Sequence, residues 1–250
     1  MRPLGRCLSL LLVGGSVMLL GFHSAAGQGI LGTKHNLSPT GTGTLHALTQ
    51  TDTLGAANTE VCVYCHTPHG ADTTVGAPLW NRAVNTTGYT MYNSPTMDAT
   101  MDAQPTGVSQ ACLSCHDGTI AFDALRNLPG PGGFSNAPAK AGVTTWTFAG
   151  TTDKKMPAGG ITNIGTDLTN DHPVSMDYST AKSPSSTDGT SGSVGFKTPT
   201  GDVFSNGVRL YSGKVQCGSC HDPHRSNTNV FLRVSNDGSA LCLTCHKKDG

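Results

Sequence analysis

Glutamate is almost missing from this 250-residue chain: Glu60 is the only one, and the other carboxylates are aspartates. Net charge is missing as well, with 16 Lys and Arg set against 16 Asp and Glu. That balance excludes the basic footprint of a nucleic-acid-binding protein. Core-building side chains are scarce. After Ala26, Leu, Ile, Val and Phe together number 37, roughly 17% of the remaining chain and below the usual globular range. Gly, Thr, Ser, Asn and Pro take their place, and these residues make turns and loops. Such a chain cannot bury enough apolar side-chain surface to offset its conformational entropy. Low net charge argues against simple disorder. A large apolar group other than a side chain would resolve the conflict.

The one long apolar run lies at the start. Arg2 and Arg6 precede Leu8 to Leu20, and Ser24-Ala25-Ala26 follows as a small-residue cleavage site. This reads as a secretory signal peptide over residues 1–26, since the run is short for a bilayer span of about 20 residues. Cys7 is expected to leave with it. Residues 27–250 are then an exported chain with no membrane span, read as a single domain.

Eight cysteines remain, in four C-x-x-C pairs, and histidine follows every pair. The motifs are Cys62-Val63-Tyr64-Cys65-His66, Cys112-Leu113-Ser114-Cys115-His116, Cys217-Gly218-Ser219-Cys220-His221 and Cys242-Leu243-Thr244-Cys245-His246. C-x-x-C-H is the attachment signature of haem c. Its two thiols add to the two vinyl groups on one porphyrin edge, and the adjacent histidine binds the iron from below. Zinc ribbons do not require a histidine after each second cysteine, and neither does a disulfide scaffold. The βαβ setting of a thioredoxin-like site is absent from the pattern. Four haems c, with iron held by His66, His116, His221 and His246, are expected. Each buried porphyrin would contribute on the order of 10 kcal/mol of apolar burial, which supplies the missing core. The expected fold is therefore mostly irregular and loop-rich, with short α-helices at the motifs and a minor β-hairpin, wrapped around a haem chain.

Four irons need four further axial ligands, and His35, His46, His69, His172 and His224 are left to supply them. His69 in Cys65-His66-Thr67-Pro68-His69 and His224 in Cys220-His221-Asp222-Pro223-His224 each stand three residues beyond a proximal histidine. Neither can reach the far side of its own haem, but each can reach a neighbouring one. His172, in Asn170-Asp171-His172-Pro173, and His35, in Thr33-Lys34-His35-Asn36, complete the expected set, leaving His46 without a role. The methionines are read as filler.

Proximal histidines are spaced by 50, 105 and 25 residues. The stretch from Pro129 to Thr200 is too long for a plain connector and is expected to wrap the haems. Asn206-Gly207, between residues 202–205 and 208–212, is a hairpin turn signal.

Several of these runs occur together in one order. Glu60 to Ala71 is followed by Ala77-Pro78-Leu79-Trp80-Asn81-Arg82, then Tyr92-Asn93-Ser94-Pro95, Cys112 to Thr119 and Asn170 to Pro173. This order resembles multihaem cytochromes of metal-reducing bacteria, above all the OmcE-type tetrahaem cytochromes that assemble into extracellular filaments. The resemblance implies bis-histidine ligation throughout and a haem chain continuous from one subunit to the next. It also implies one haem ligated by a histidine of the adjacent protomer, for which His35, near the new terminus, is the candidate. A head-to-tail contact of that kind does not close, so a filament follows. The expected function is electron transfer without bond chemistry. The expected partners are further copies of the chain, upstream periplasmic or outer-membrane cytochromes and extracellular acceptors. A monomeric periplasmic shuttle and a multihaem reductase with an open iron position are the alternatives.

Overall fold

The computed structural model describes residues 29–50, 57, 59–128, 146–182, 195–225 and 229–247. The expected signal peptide and much of the 129–200 stretch lie outside them. The described chain is loop-rich, with few short helices and two small antiparallel sheets. Only one helix exceeds a single turn: α1, Gly107–His116, which contains the second C-x-x-C-H motif. One-turn helices α3, Cys217–Cys220, and α4, Cys242–Cys245, carry the third and fourth. The first motif forms a 3-10 turn over Cys62–Tyr64. In that turn and in α3 and α4 the histidine's N–H closes back on the carbonyl of the first cysteine, at 2.8, 3.1 and 2.9 Å. The close places both cysteine side chains and the histidine on one side of a single turn. A further one-turn helix, α2, spans Tyr178–Ala181, where the Asp177 carboxylate accepts from the N–H groups of Ser179 and Thr180 as an N-cap should.

The sheets are two-stranded. Strand β1, Ala47–Thr49, pairs with β2, Thr147–Phe148. Strand β3, Met176–Asp177, pairs with β4, Lys214–Val215. Both join segments far apart in sequence, and neither is signalled by local alternation. At the expected hairpin the Gly207 N–H bonds the Phe204 carbonyl at 2.9 Å, and the Phe204 N–H bonds the Val208 carbonyl at 2.9 Å. Gly207 takes φ +90°, as three-residue hairpin loops require of their last position. The pairing beyond the turn is a single bridge, Val203 with Arg209, so the hairpin exists without regular strands.

Apolar burial is divided among small clusters arranged around the motifs. Ala47, Val63, Tyr64, Phe122, Leu125, Trp146, Phe148 and Met156 pack together with Cys65 and Cys115 against them. Met176, Tyr178, Phe204, Val208, Leu210 and Val215 form a second cluster, flanked by Cys245. Among the described residues no single apolar cluster spans both of these. Polar bonds join them instead. Ser109 Oγ donates to Gln216 Oε1 at 2.5 Å and accepts from the Cys217 N–H at 3.0 Å, fastening α1 to α3. No helix among the described residues is long and apolar enough to cross a membrane.

Candidate haem-binding site

The four motifs follow one another in space in chain order. Cys65 lies within electrostatic reach of Cys115. The Cys112 and Cys217 thiols share a hydrogen bond that, together with burial, pushes Cys112 up and, against burial, pulls Cys217 down. Cys220 is in reach of Cys245 and is pushed up to about 11, chiefly by burial. Burial pushes the Cys65 thiol further, to about 12. All eight cysteines are unpaired. Protonated, buried thiols are inert, whereas a thioether carries no proton and suits the same apolar surroundings.

The histidines show a common device. His66 Nδ1 meets the Pro78 carbonyl at 2.7 Å, His116 Nδ1 the Thr162 carbonyl at 2.7 Å, and His221 Nδ1 the Val230 carbonyl at 2.9 Å. A carbonyl only accepts, so Nδ1 carries the proton and Nε2 presents a lone pair. Metal-ligating histidines are oriented in this way by their outer partners. His172 and His46 do the same toward the carbonyls of Pro173, at 3.1 Å, and Gly43, at 2.7 Å. These carbonyls come from loops with no motif of their own, so sequence reading had no means to find them. At His116 the acceptor loop is set by Gly118. This glycine takes φ +71°, and a Cβ on it would lie 2.5 Å from the Asn163 side chain, next to Thr162.

The remaining histidines divide. His224 faces His66 with ring centroids 6.2 Å apart and planes 14° apart. His35 faces His116 at 6.1 Å and 80°. Metal–imidazole bonds are about 2.0–2.1 Å long, and a ring nitrogen lies about 1.1 Å from its centroid, so two imidazoles on opposite sides of one metal have centroids about 6.3 Å apart. Both separations fit an iron between the rings. Neither pair hydrogen-bonds ring to ring, and His35 Nδ1 is buried without a partner meeting hydrogen-bond geometry. Burial, then the neighbouring His116 and His224, hold His35 down at about 4, so it stays neutral and able to ligate. His35 also packs on Phe231 at 4.3 Å. It is therefore enclosed by its own chain, unlike the outward-reaching role first assigned to it. His172 is near enough to His246 to depress it, second to burial. His69 is exposed on its turn, and its ring makes no hydrogen bond or ring contact among the described residues. Among the described residues no ring contact pairs an imidazole with His221, although His35 and His116 lie within its electrostatic reach. The residues present thus fit haem c: cysteine pairs on single turns, fixed tautomers and ring pairs at metal-spanning distance. When bound, the group supplies one-electron chemistry at iron.

Trp80 is a residue that motif reading did not single out for the site. It is buried edge-on to His66, with ring centroids 6.1 Å apart and planes 85° apart. Its Nε1–H has no hydrogen-bond partner among the described residues.

Residues 211–250 match the family described as a doubled CXXCH motif. No curated protein matches the chain. The doubled motif covers the third and fourth attachment segments and indicates a multihaem c-type cytochrome, a class defined by covalent haem binding and electron transfer. Proteins of that class are usually exported.

Proposed function

We propose that the protein carries four haems c, one at each C-x-x-C-H segment, and conducts electrons along them as an extracellular filament subunit. The observation that carries the reading is the pair of facing imidazoles, His66 with His224 and His116 with His35, each at the spacing of two ligands on one iron. A filled iron changes oxidation state without taking up a substrate, which suits transfer over reaction. His246 with His172 forms the third ligand pair.

The fourth iron, at His221, favours the filament. Among the described residues no imidazole makes a ring contact with His221, while His69 stands exposed and unengaged three residues beyond His66. His69 of one copy ligating the His221 iron of the next gives a head-to-tail contact that does not close. This supersedes His35 as the crossing ligand. The same vacancy supports the alternatives. If His69 or His46 of the same chain turns in, the protein is a monomeric periplasmic shuttle. If nothing ligates, the iron is open as in a reductase.

Electron microscopy of haem-bearing material sheared from the cell surface tests the reading. Uniform filaments repeating every four haems support it. Discrete particles confined to the periplasm would move the assignment to the shuttle, and a high-spin ferric component in the native protein would move it to the reductase.

A further inference from the structure

Arg82 is fully buried, with 0% of its surface exposed. Its donors are satisfied without any anion. Nη1 donates to the Phe122 carbonyl at 2.7 Å, Nη2 to the carbonyls of Ala121 at 2.8 Å and Ser114 at 3.1 Å, and Nε to Ser114 Oγ at 3.3 Å. Among the described residues no carboxylate stands within ion-pair distance of it. The nearby carboxylates are engaged elsewhere: Asp117 with Tyr89, Asn85 and Thr119, and Asp123 with Lys154. Burying a charge without a counter-ion is costly even when its hydrogen bonds are made, and a neutral side chain would fill the space more cheaply.

The position of this charge is specific. Ser114 lies between Cys112 and Cys115 in α1, and the Asn81 N–H, one residue before Arg82, donates to the Cys65 carbonyl at 2.9 Å. Arg82 is thus wedged between the first two attachment segments.

We propose that Arg82 is a fixed internal cation that raises the reduction potential of the haems held at the two segments it bridges, Cys62 to His66 and Cys112 to His116. The inference rests on the reading that these segments carry haem. Ferric haem takes up one electron and loses one positive charge at iron, so a buried cation beside it favours the reduced form. Charges inside a protein interact through an effective dielectric of about 20 and are screened little by salt. A unit charge within a side chain's length of the porphyrin edge shifts the reduction equilibrium by about tenfold, which is about 59 mV for a one-electron couple. The device favours the reduced form at these two haems.

The test is a spectroelectrochemical titration of the holoprotein, with haem content measured on each sample. In Arg82→Gln two of the four components should fall by about tenfold in their equilibria while the other two hold. Arg82→Lys, which keeps the charge but loses the fork of hydrogen bonds, should restore most of the shift. Equal falls in Gln and Lys variants, or no fall in a fully loaded Gln variant, would overturn the proposal. If Arg82→Gln fails to load haem, Ser114→Asp compared with Ser114→Asn decides, because Asp places a carboxylate on the guanidinium. The Asp variant should lower the His66 component as well as the His116 one, and a fall confined to the His116 haem, or identical titrations, would refute the idea. A native protein without haem would instead sink the underlying reading.

Discussion

Replacing His224 by alanine isolates one iron. The side chain is 58% exposed on its turn, and removing an exposed side chain changes folding stability by about 0.5 kcal/mol or less unless it holds something. What it holds, on this account, is the iron across from His66, with ring centroids 6.2 Å apart. Its ring also approaches Asp222 at 3.5 Å, and Asp222 keeps Arg225 and Arg233 as partners. His224→Ala should therefore retain all haem, since Cys62, Cys65 and His66 are untouched. One iron of the four should lose its sixth ligand, so about a quarter of the ferric haem should turn high-spin. Electron paramagnetic resonance with spin quantitation reads this directly, and added imidazole should reverse it. His46→Ala should leave the spectrum unchanged. A fully loaded His224→Ala protein that stays entirely low-spin would refute the ligand pairing.

The angle between ligand planes should also be visible in the low-spin spectrum. The near-parallel His66 and His224 rings, at 14°, call for a rhombic signal, and the near-perpendicular His116 and His35 rings, at 80°, for a highly anisotropic one. Losing the rhombic component in His224→Ala would tie signal to site. Blocking haem attachment should leave a largely unfolded chain, with weak near-ultraviolet dichroism and no cooperative melt; a cooperative melt would contradict the cofactor as core. Asp72 offers a pH dependence. Burial raises its pKa, but hydrogen bonds from Thr74 and the Arg126 cation outweigh that and lower it overall. A carboxyl depressed in the folded state stabilises above its unfolded value of about 3.9, and that stability is lost as pH falls through the folded value. Asp72→Asn should flatten the acid limb of the melting curve below about pH 4, and an unchanged limb would refute this.

The attachment segments were readable from sequence because thioether chemistry demands contiguous residues at fixed spacing. The loop-rich class was readable because too few aliphatic side chains were present for any other. Contacts made at long range were not. Ala47 pairs with Phe148 without a local pattern to announce it. The carbonyls of Pro78, Thr162 and Val230 set the histidine tautomers, and a backbone carbonyl has no residue type to betray its role. Arg82 was visible only as a member of a familiar run, since its burial arises from loops at residues 121–122 that sequence alone does not fold against it. The position of His35 near the expected cleavage site suggested outward reach; its ring packs on Phe231 and His116, contacts that no local sequence pattern announces.

The count of bound haems tests the central claim most directly. Intact-mass measurement of the exported protein under denaturing conditions should show the chain from about residue 27 plus four covalent haem increments. A mass carrying fewer than four, or the bare polypeptide, would contradict the account of a chain whose core is four haems.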